Sequence, residues 1–205
     1  HQRLIEKAVP FNMEADSLNC SVLGEDAVPG TAEFDIFIKE VQKEMTVKAG
    51  QKCTAVRRVI VPEKLIEDVQ IALSKRLSST TIGDPSVEGV RMGSLAGKSQ
   101  KKEVLENINK LSKSQDIVFG NEESFEVVGA NKDKGAFVSP FLFLNSYPFK
   151  NLDCHDIEVF GPVATIMPYK DVNEAIKLAR LGKGSLVCSL VTNDMKLAEQ
   201  FVLGA

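Results

Sequence analysis

Short apolar runs alternate along this chain with longer stretches in which apolar residues recur every three or four positions. The runs at residues 19–23, 55–61, 117–119, 136–144, 163–167 and 186–191 read as strands. The periodic stretches at 33–47, 62–77, 97–114, 172–181 and 195–203 read as helices. In the first of these, Phe34, Phe37, Ile38, Val41 and Met45 fall on one helical face, and Gly50 is expected to supply the C-terminal stop. Pro62 is expected at a helix start, where its missing donor does no harm, and Asp194 reads as an N-cap. Strands alternating with helices of this length predict an α/β fold, an open twisted sheet flanked by helices. Residues 80–95, rich in glycine and polar side chains, read as a surface loop, and no internal repeat or low-complexity tract interrupts the pattern.

Composition narrows the function classes. With 205 residues, 43% of them hydrophobic, and a net charge of -3, the chain can bury one sizeable core and offers no basic footprint for nucleic acid. Its basic residues are scattered, tryptophan is absent, and the aromatics are not interleaved with lysine or arginine. No run approaches the ~18 apolar residues of a membrane span, so a cytoplasmic protein without membrane or nucleic-acid partners is expected. Cys20, Cys53, Cys154 and Cys188 form no C-x-x-C pair, which predicts reduced thiols rather than a disulfide framework. Cys20 and Cys188 lie inside apolar runs and read as core fillers. No metal site is expected, because His1 and His155 are the only histidines and only Cys154 and His155 are adjacent.

Cys53 is a candidate nucleophile or, as the commoner fate of a free cysteine, a small buried hydrophobe. It follows the glycine turn at Gly50 and precedes a strand, so rigid elements flank a loop that can meet a substrate. Arg57 and Arg58 open that strand, where alternation should send one outward and the other to the core or a partner. Gln51, Lys52 and Thr54 are expected chiefly to set the loop's conformation.

Gly50-Gln51-Lys52-Cys53 resembles the Gly-Gln-x-Cys motif of the aldehyde dehydrogenase superfamily, with its catalytic cysteine last. Glu158-Val159-Phe160-Gly161-Pro162-Val163, starting 105 positions after Cys53, resembles the family's Glu-x-Phe-Gly-Pro-Val segment, and two motifs in order are more specific than either alone. Glu14-Ala15-Asp16-Ser17-Leu18-Asn19 stands where the family usually carries Glu-Leu-Gly-Gly-Lys, but lacks its two glycines. That segment, the 45–54 stretch and Gly182-Lys183-Gly184-Ser185-Leu186-Val187 are similar to one branch, the aldehyde dehydrogenase domains of bifunctional ring-opening proteins of phenylacetate degradation. The likeness runs through nearly the whole chain.

The resemblance implies the catalytic domain of an aldehyde dehydrogenase over residues 25–205, with residues 1–24 as the end of a cofactor-binding domain. Most of that cofactor domain and a C-terminal oligomerisation strand would lie outside the chain, so the isolated chain is expected to be inactive. The parent is expected to be a homo-oligomer that oxidises an aldehyde to the acid with NADP or NAD, NADP being favoured. Its substrate class would be a semialdehyde carrying a coenzyme A thioester, from aromatic-compound catabolism. By the same resemblance Cys53 forms the thiohemiacetal and thioester, Glu14 is the general base, and Glu158 and Phe160 hold the nicotinamide and its ribose. Asp16 is a rival acid to Glu14. Two alternatives are a coenzyme A-acylating enzyme, disfavoured by the presence of Glu14, and a structural or oligomerisation module without catalysis.

Overall fold

The computed structural model describes residues 2–11, 17–183 and 185–205. Six strands form one sheet: β1 (Cys20–Leu23), β2 (Arg58–Pro62), β3 (Asp116–Phe119), β4 (Phe141–Leu144), β5 (Val163–Tyr169) and β6 (Cys188–Val191). Their order is β3-β4-β5-β2-β1-β6. All neighbours are parallel except β3 and β4, which pair antiparallel. Helix α2 (Ala32–Thr46) crosses from β1 to β2 and α6 (Val172–Arg180) from β5 to β6. The other helices are α1 (Gln2–Glu6), α3 (Ile66–Ser78), α4 (Lys98–Leu111), α5 (Asp153–Asp156) and α7 (Met195–Gly204). This is the α/β sheet flanked by helices that the alternation predicts.

Both faces of the sheet are covered, which explains why its central strands read as unbroken apolar runs rather than alternating ones. On one side Val59, Val61, Leu142 and Ile166 pack with Phe37, Val41, Leu73 and Leu77. On the other, Val22, Ile60, Met167 and Tyr169 pack with Ala175, Leu178 and Phe201. A third cluster sets Phe141, Phe143 and Val163 against Val104, Ile108 and Leu111. Local chemistry sets the helix starts: Thr31 caps α2 by accepting from the N–H of Phe34, Asp171 caps α6, and Asp194 caps α7 as expected.

The differences from the pattern have local causes. Pro62 closes β2 in register with Tyr169 instead of opening a helix; it needs no donor at a strand end, and α3 begins only after a 3₁₀ turn over Glu63–Leu65. Within 136–144 only Phe141–Leu144 is strand, because Pro140 cannot join the ladder, although Ala136, Phe137 and Val138 are buried. The 80–95 segment has loop geometry but anchors Ile82, Met92 and Leu95 in the core. Strand β1 lies between β2 and β6 in this sheet.

Candidate active site

Among the described residues, the Cys53 loop, the Glu158–Pro162 segment and two further loops gather along one edge of the sheet. Asn19 directly precedes β1, the Cys53 loop precedes β2, the Glu158–Pro162 segment precedes β5, and Leu186 and Val187 precede β6. These four strands are mutually parallel, so all four loops meet at their amino-terminal ends.

Cys53 is exposed on a turn held from beneath. Helix α2 ends at Thr46, and Lys48, Ala49 and Gly50 follow with φ of 55°, 52° and 70°. Three successive left-handed residues, two of them not glycine, are costly and persist only where surroundings hold them. Gln51 does part of this, donating from Nε2 to the Lys48 carbonyl at 2.9 Å and accepting from the Ala96 N–H at 2.8 Å. Lys52 pairs with Glu44 at 2.7 Å. Both therefore set loop conformation, as expected. The fully buried Asn19 donates to the carbonyls of Cys53 (2.8 Å) and Ala55 (3.0 Å). Its Oδ1 accepts from the N–H groups of Leu186 (3.0 Å) and Val187 (2.8 Å), so one amide joins the loops before β2 and β6.

Arg57 joins the Cys53 turn to the Glu158 segment. Its Nη2 donates to the Gly50 carbonyl at 2.6 Å and its Nη1 to the Gly161 carbonyl at 2.8 Å. Its Nε lies 3.7 Å from Glu158 Oε1, and its guanidinium carbon 5.6 Å from the centre of the Phe160 ring. Burial draws the Arg57 guanidinium down to about 10, with Glu158 opposing, so it remains a cation at neutral pH. The two backbones touch: a Cβ built on Gly50 would lie 2.1 Å from the Gly161 carbonyl oxygen. Helix α4 steadies the same segment, with Gln100 donating to the Phe160 carbonyl and Asn107 to the Glu158 carbonyl, each at 3.3 Å.

Arg58 points to the opposite face. It donates to the carbonyls of Leu18 (2.7 Å), Leu178 (2.6 Å) and Ala179 (3.0 Å), the last two in the final turn of α6. Its Nη1 also lies 3.2 Å from Nδ1 of His155, whose Nε2 is 3.0 Å from the Pro148 carbonyl. A carbonyl only accepts, so the proton sits on Nε2 and Nδ1 receives from Arg58. Desolvation, then the Arg58 charge, pull His155 down to about 4.

Two expectations are corrected. Neither arginine turns outward: Arg57 and Arg58 are 4% and 0% exposed, because a parallel strand covered on both faces has no outward side. Cys188 is exposed rather than a core filler, since β6 is an edge strand, whereas Cys20 is buried. Sequence reading passed over Asn19 and the linking role of Arg57. The usable signal was two arginines opening an apolar strand, which need many acceptors if that strand is buried. Glu14 and Asp16 lie outside the described residues. Among the described residues no three His, Cys, Asp or Glu side chains converge, and no helix is long and apolar enough to cross a membrane.

Comparison with known proteins places this geometry. Residues 3–204 match the aldehyde dehydrogenase family. The chain is 43% identical over 204 residues to 3,4-dehydroadipyl-CoA semialdehyde dehydrogenase of Aromatoleum evansii, covering 100% of this chain and 40% of that protein. It is 42% identical over 115 residues to protein MaoC of Klebsiella aerogenes, covering 56% of this chain and 32% of the relative. Among solved structures, the NAD+ complex of aldehyde dehydrogenase from Bacillus cereus superposes with a TM-score of 0.82 at 25% identity, over 99% of this chain and 39% of that one. Betaine aldehyde dehydrogenase from Staphylococcus aureus in complex with NAD+ shares the fold with a TM-score of 0.83 at 20% identity, over 99% of this chain and 39% of that one. The chain thus spans two fifths or less of these relatives and belongs to the aldehyde dehydrogenase family.

Proposed function

We propose that this chain is the thiol-bearing part of a longer dehydrogenase that oxidises an aldehyde to its acid through Cys53. The observation that carries this reading is the Arg57 clamp. It draws the exposed Cys53 turn and the Glu158–Phe160 segment together across two glycine carbonyls. Cys53 attacks the aldehyde carbon, and its backbone N–H supports the developing oxyanion. After oxidation the acyl group is a thioester on Cys53, and Glu14 is the base that delivers water to it. Glu158 and Phe160 are the residues of this chain that would hold a nicotinamide and its ribose. A carboxylate with 13% of its side chain exposed beside a fixed cation, next to a half-buried ring, fits a ribose diol and a flat ring. The bound nicotinamide would accept the hydride leaving the aldehyde carbon, with NADP favoured over NAD.

A coenzyme A-linked semialdehyde of aromatic-compound catabolism is the proposed substrate, supported by the 43% identity to the 3,4-dehydroadipyl-CoA semialdehyde dehydrogenase of Aromatoleum evansii. Residues 1–24 are proposed as the end of the cofactor domain, residues 25–205 as the catalytic domain, and the parent as a cytoplasmic homo-oligomer. The test is aldehyde-dependent NAD(P)H formation by the full-length protein beside its Cys53→Ala and Glu14→Gln variants. Cys53→Ala should lower the rate by at least about 10³-fold, while Glu14→Gln should stop acid release. Equal activity with Cys53→Ala removes the thiol from the chemistry, and unchanged acid release removes Glu14 as base.

A further inference from the structure

A second thiol site lies on the face of the sheet occupied by Arg58. Cys188 of β6, Cys20 of β1 and Arg58 of β2 are register partners on adjacent parallel strands and form one row on one face. The two sulfurs, 168 positions apart in sequence, are 3.3 Å from each other, and both thiols are free. Neighbouring strands are about 4.8 Å apart, inside the span of roughly 4.4–6.8 Å between Cα atoms that a disulfide accepts. Closing the bond therefore needs side-chain movement and no change of register.

The two cysteines are unequal. Cys20 is 2% exposed, whereas Cys188, on the outermost strand of this chain's sheet, is exposed. The Cys20 S–H donates to the Cys188 sulfur, and the Arg58 charge favours the anion of both. The donated hydrogen bond pulls the Cys188 thiol below its ordinary range and raises that of Cys20, so Cys188 is the more readily ionised of the two.

We propose that Cys20 and Cys188 form a peroxide-oxidisable dithiol, separate from Cys53, that closes to a disulfide between β1 and β6. The Cys188 thiolate attacks one peroxide oxygen, breaking the O–O bond, and becomes a sulfenic acid as hydroxide leaves. The Cys20 sulfur then attacks the Cys188 sulfur. An S–S bond forms, the S–O bond breaks, and the Cys20 proton leaves with the oxygen as water. One peroxide is reduced to two waters as two thiols are oxidised. The link staples the strand pair beside Asn19, which holds the Cys53 carbonyl and the N–H groups of Leu186 and Val187.

The full-length protein carrying Cys53→Ser is treated with hydrogen peroxide, alkylated under denaturing conditions and mapped by peptide mass. The expected result is a Cys20–Cys188 linked peptide pair, lighter by two hydrogens than the free peptides and lost on dithiothreitol treatment. Cys188→Ser should leave Cys20 fully alkylatable. In Cys20→Ala, Cys188 should accumulate as a sulfenic acid trapped by dimedone, which keeps the idea testable if one variant misfolds. Recovery of both cysteines as alkylated thiols after peroxide overturns the proposal. So does passage of Cys188 to sulfinic acid while Cys20 stays free.

Discussion

Arg57 and Arg58 are consecutive residues of one strand entry, yet they serve two different regions. Arg57 reaches toward the loops before β2 and β5, with both carbonyl partners, Gly50 and Gly161, in turns that carry the proposed chemistry. Arg58 reaches the other face and closes the last turn of α6, with His155 held neutral beside it. The first cation ties together loops that hold an exposed thiol; the second ties a helix end to the core. The contrast teaches that burying two guanidinium groups is tolerable only because each meets at least two backbone acceptors, and that the choice of acceptors separates a site from a scaffold.

If that division holds, Arg58→Ala should give the largest loss of stability. It removes one hydrogen bond from each of the Leu18, Leu178 and Ala179 carbonyls, the last two keeping the N–H groups of Leu181 and Gly182, and empties a fully buried site, at a cost of about 3–5 kcal/mol. Urea unfolding should show a lower midpoint with unchanged slope, and an unchanged midpoint would contradict the scaffold role. Next is the acid response of the same region. Free histidine titrates near 6.5 and His155 near 4, so between those values the unfolded chain binds a proton that the folded chain refuses. Stability should therefore fall as pH drops from about 6.5 toward 4, by up to about 3 kcal/mol from this residue. Comparing the protein with His155→Gln over that range isolates the contribution, and identical pH profiles would refute it.

The smallest stability effect should come from the Arg57 side. Gly50→Ala adds a left-handed alanine and a methyl group against the Gly161 carbonyl, costing about 2–3 kcal/mol. Because that contact joins the Cys53 turn to the Glu158 segment, its effect on NAD(P)H formation in the full-length protein should exceed its effect on the urea midpoint. Equal effects would mean the turn is only scaffold.

Much of the fold was legible because its signals are local. The period of Phe34, Phe37, Ile38, Val41 and Met45 marked α2, and Asp194 marked the start of α7. The four-residue α5 has too little length to carry a period, and Pro140 hid the true start of β4. Cys53, Glu158 and Phe160 were legible as motif residues. Asn19 and Arg57 were not legible as linkers, because a hydrogen bond to a backbone carbonyl leaves no side-chain signature on its partner.

By itself, then, the sequence determined the alternation of strands and helices, the α/β class, and a thiol on a glycine turn. Those follow from spacing over a few residues, where side-chain size and backbone preference act. Only the tertiary structure decided that β1 sits between β2 and β6, which puts Cys20 against Cys188 and both arginines inside. It also decided that Gly50 touches Gly161. Strand neighbours in a parallel sheet are chosen by long crossovers and the burial of both faces, so contacts between distant positions arise only when the whole sheet assembles.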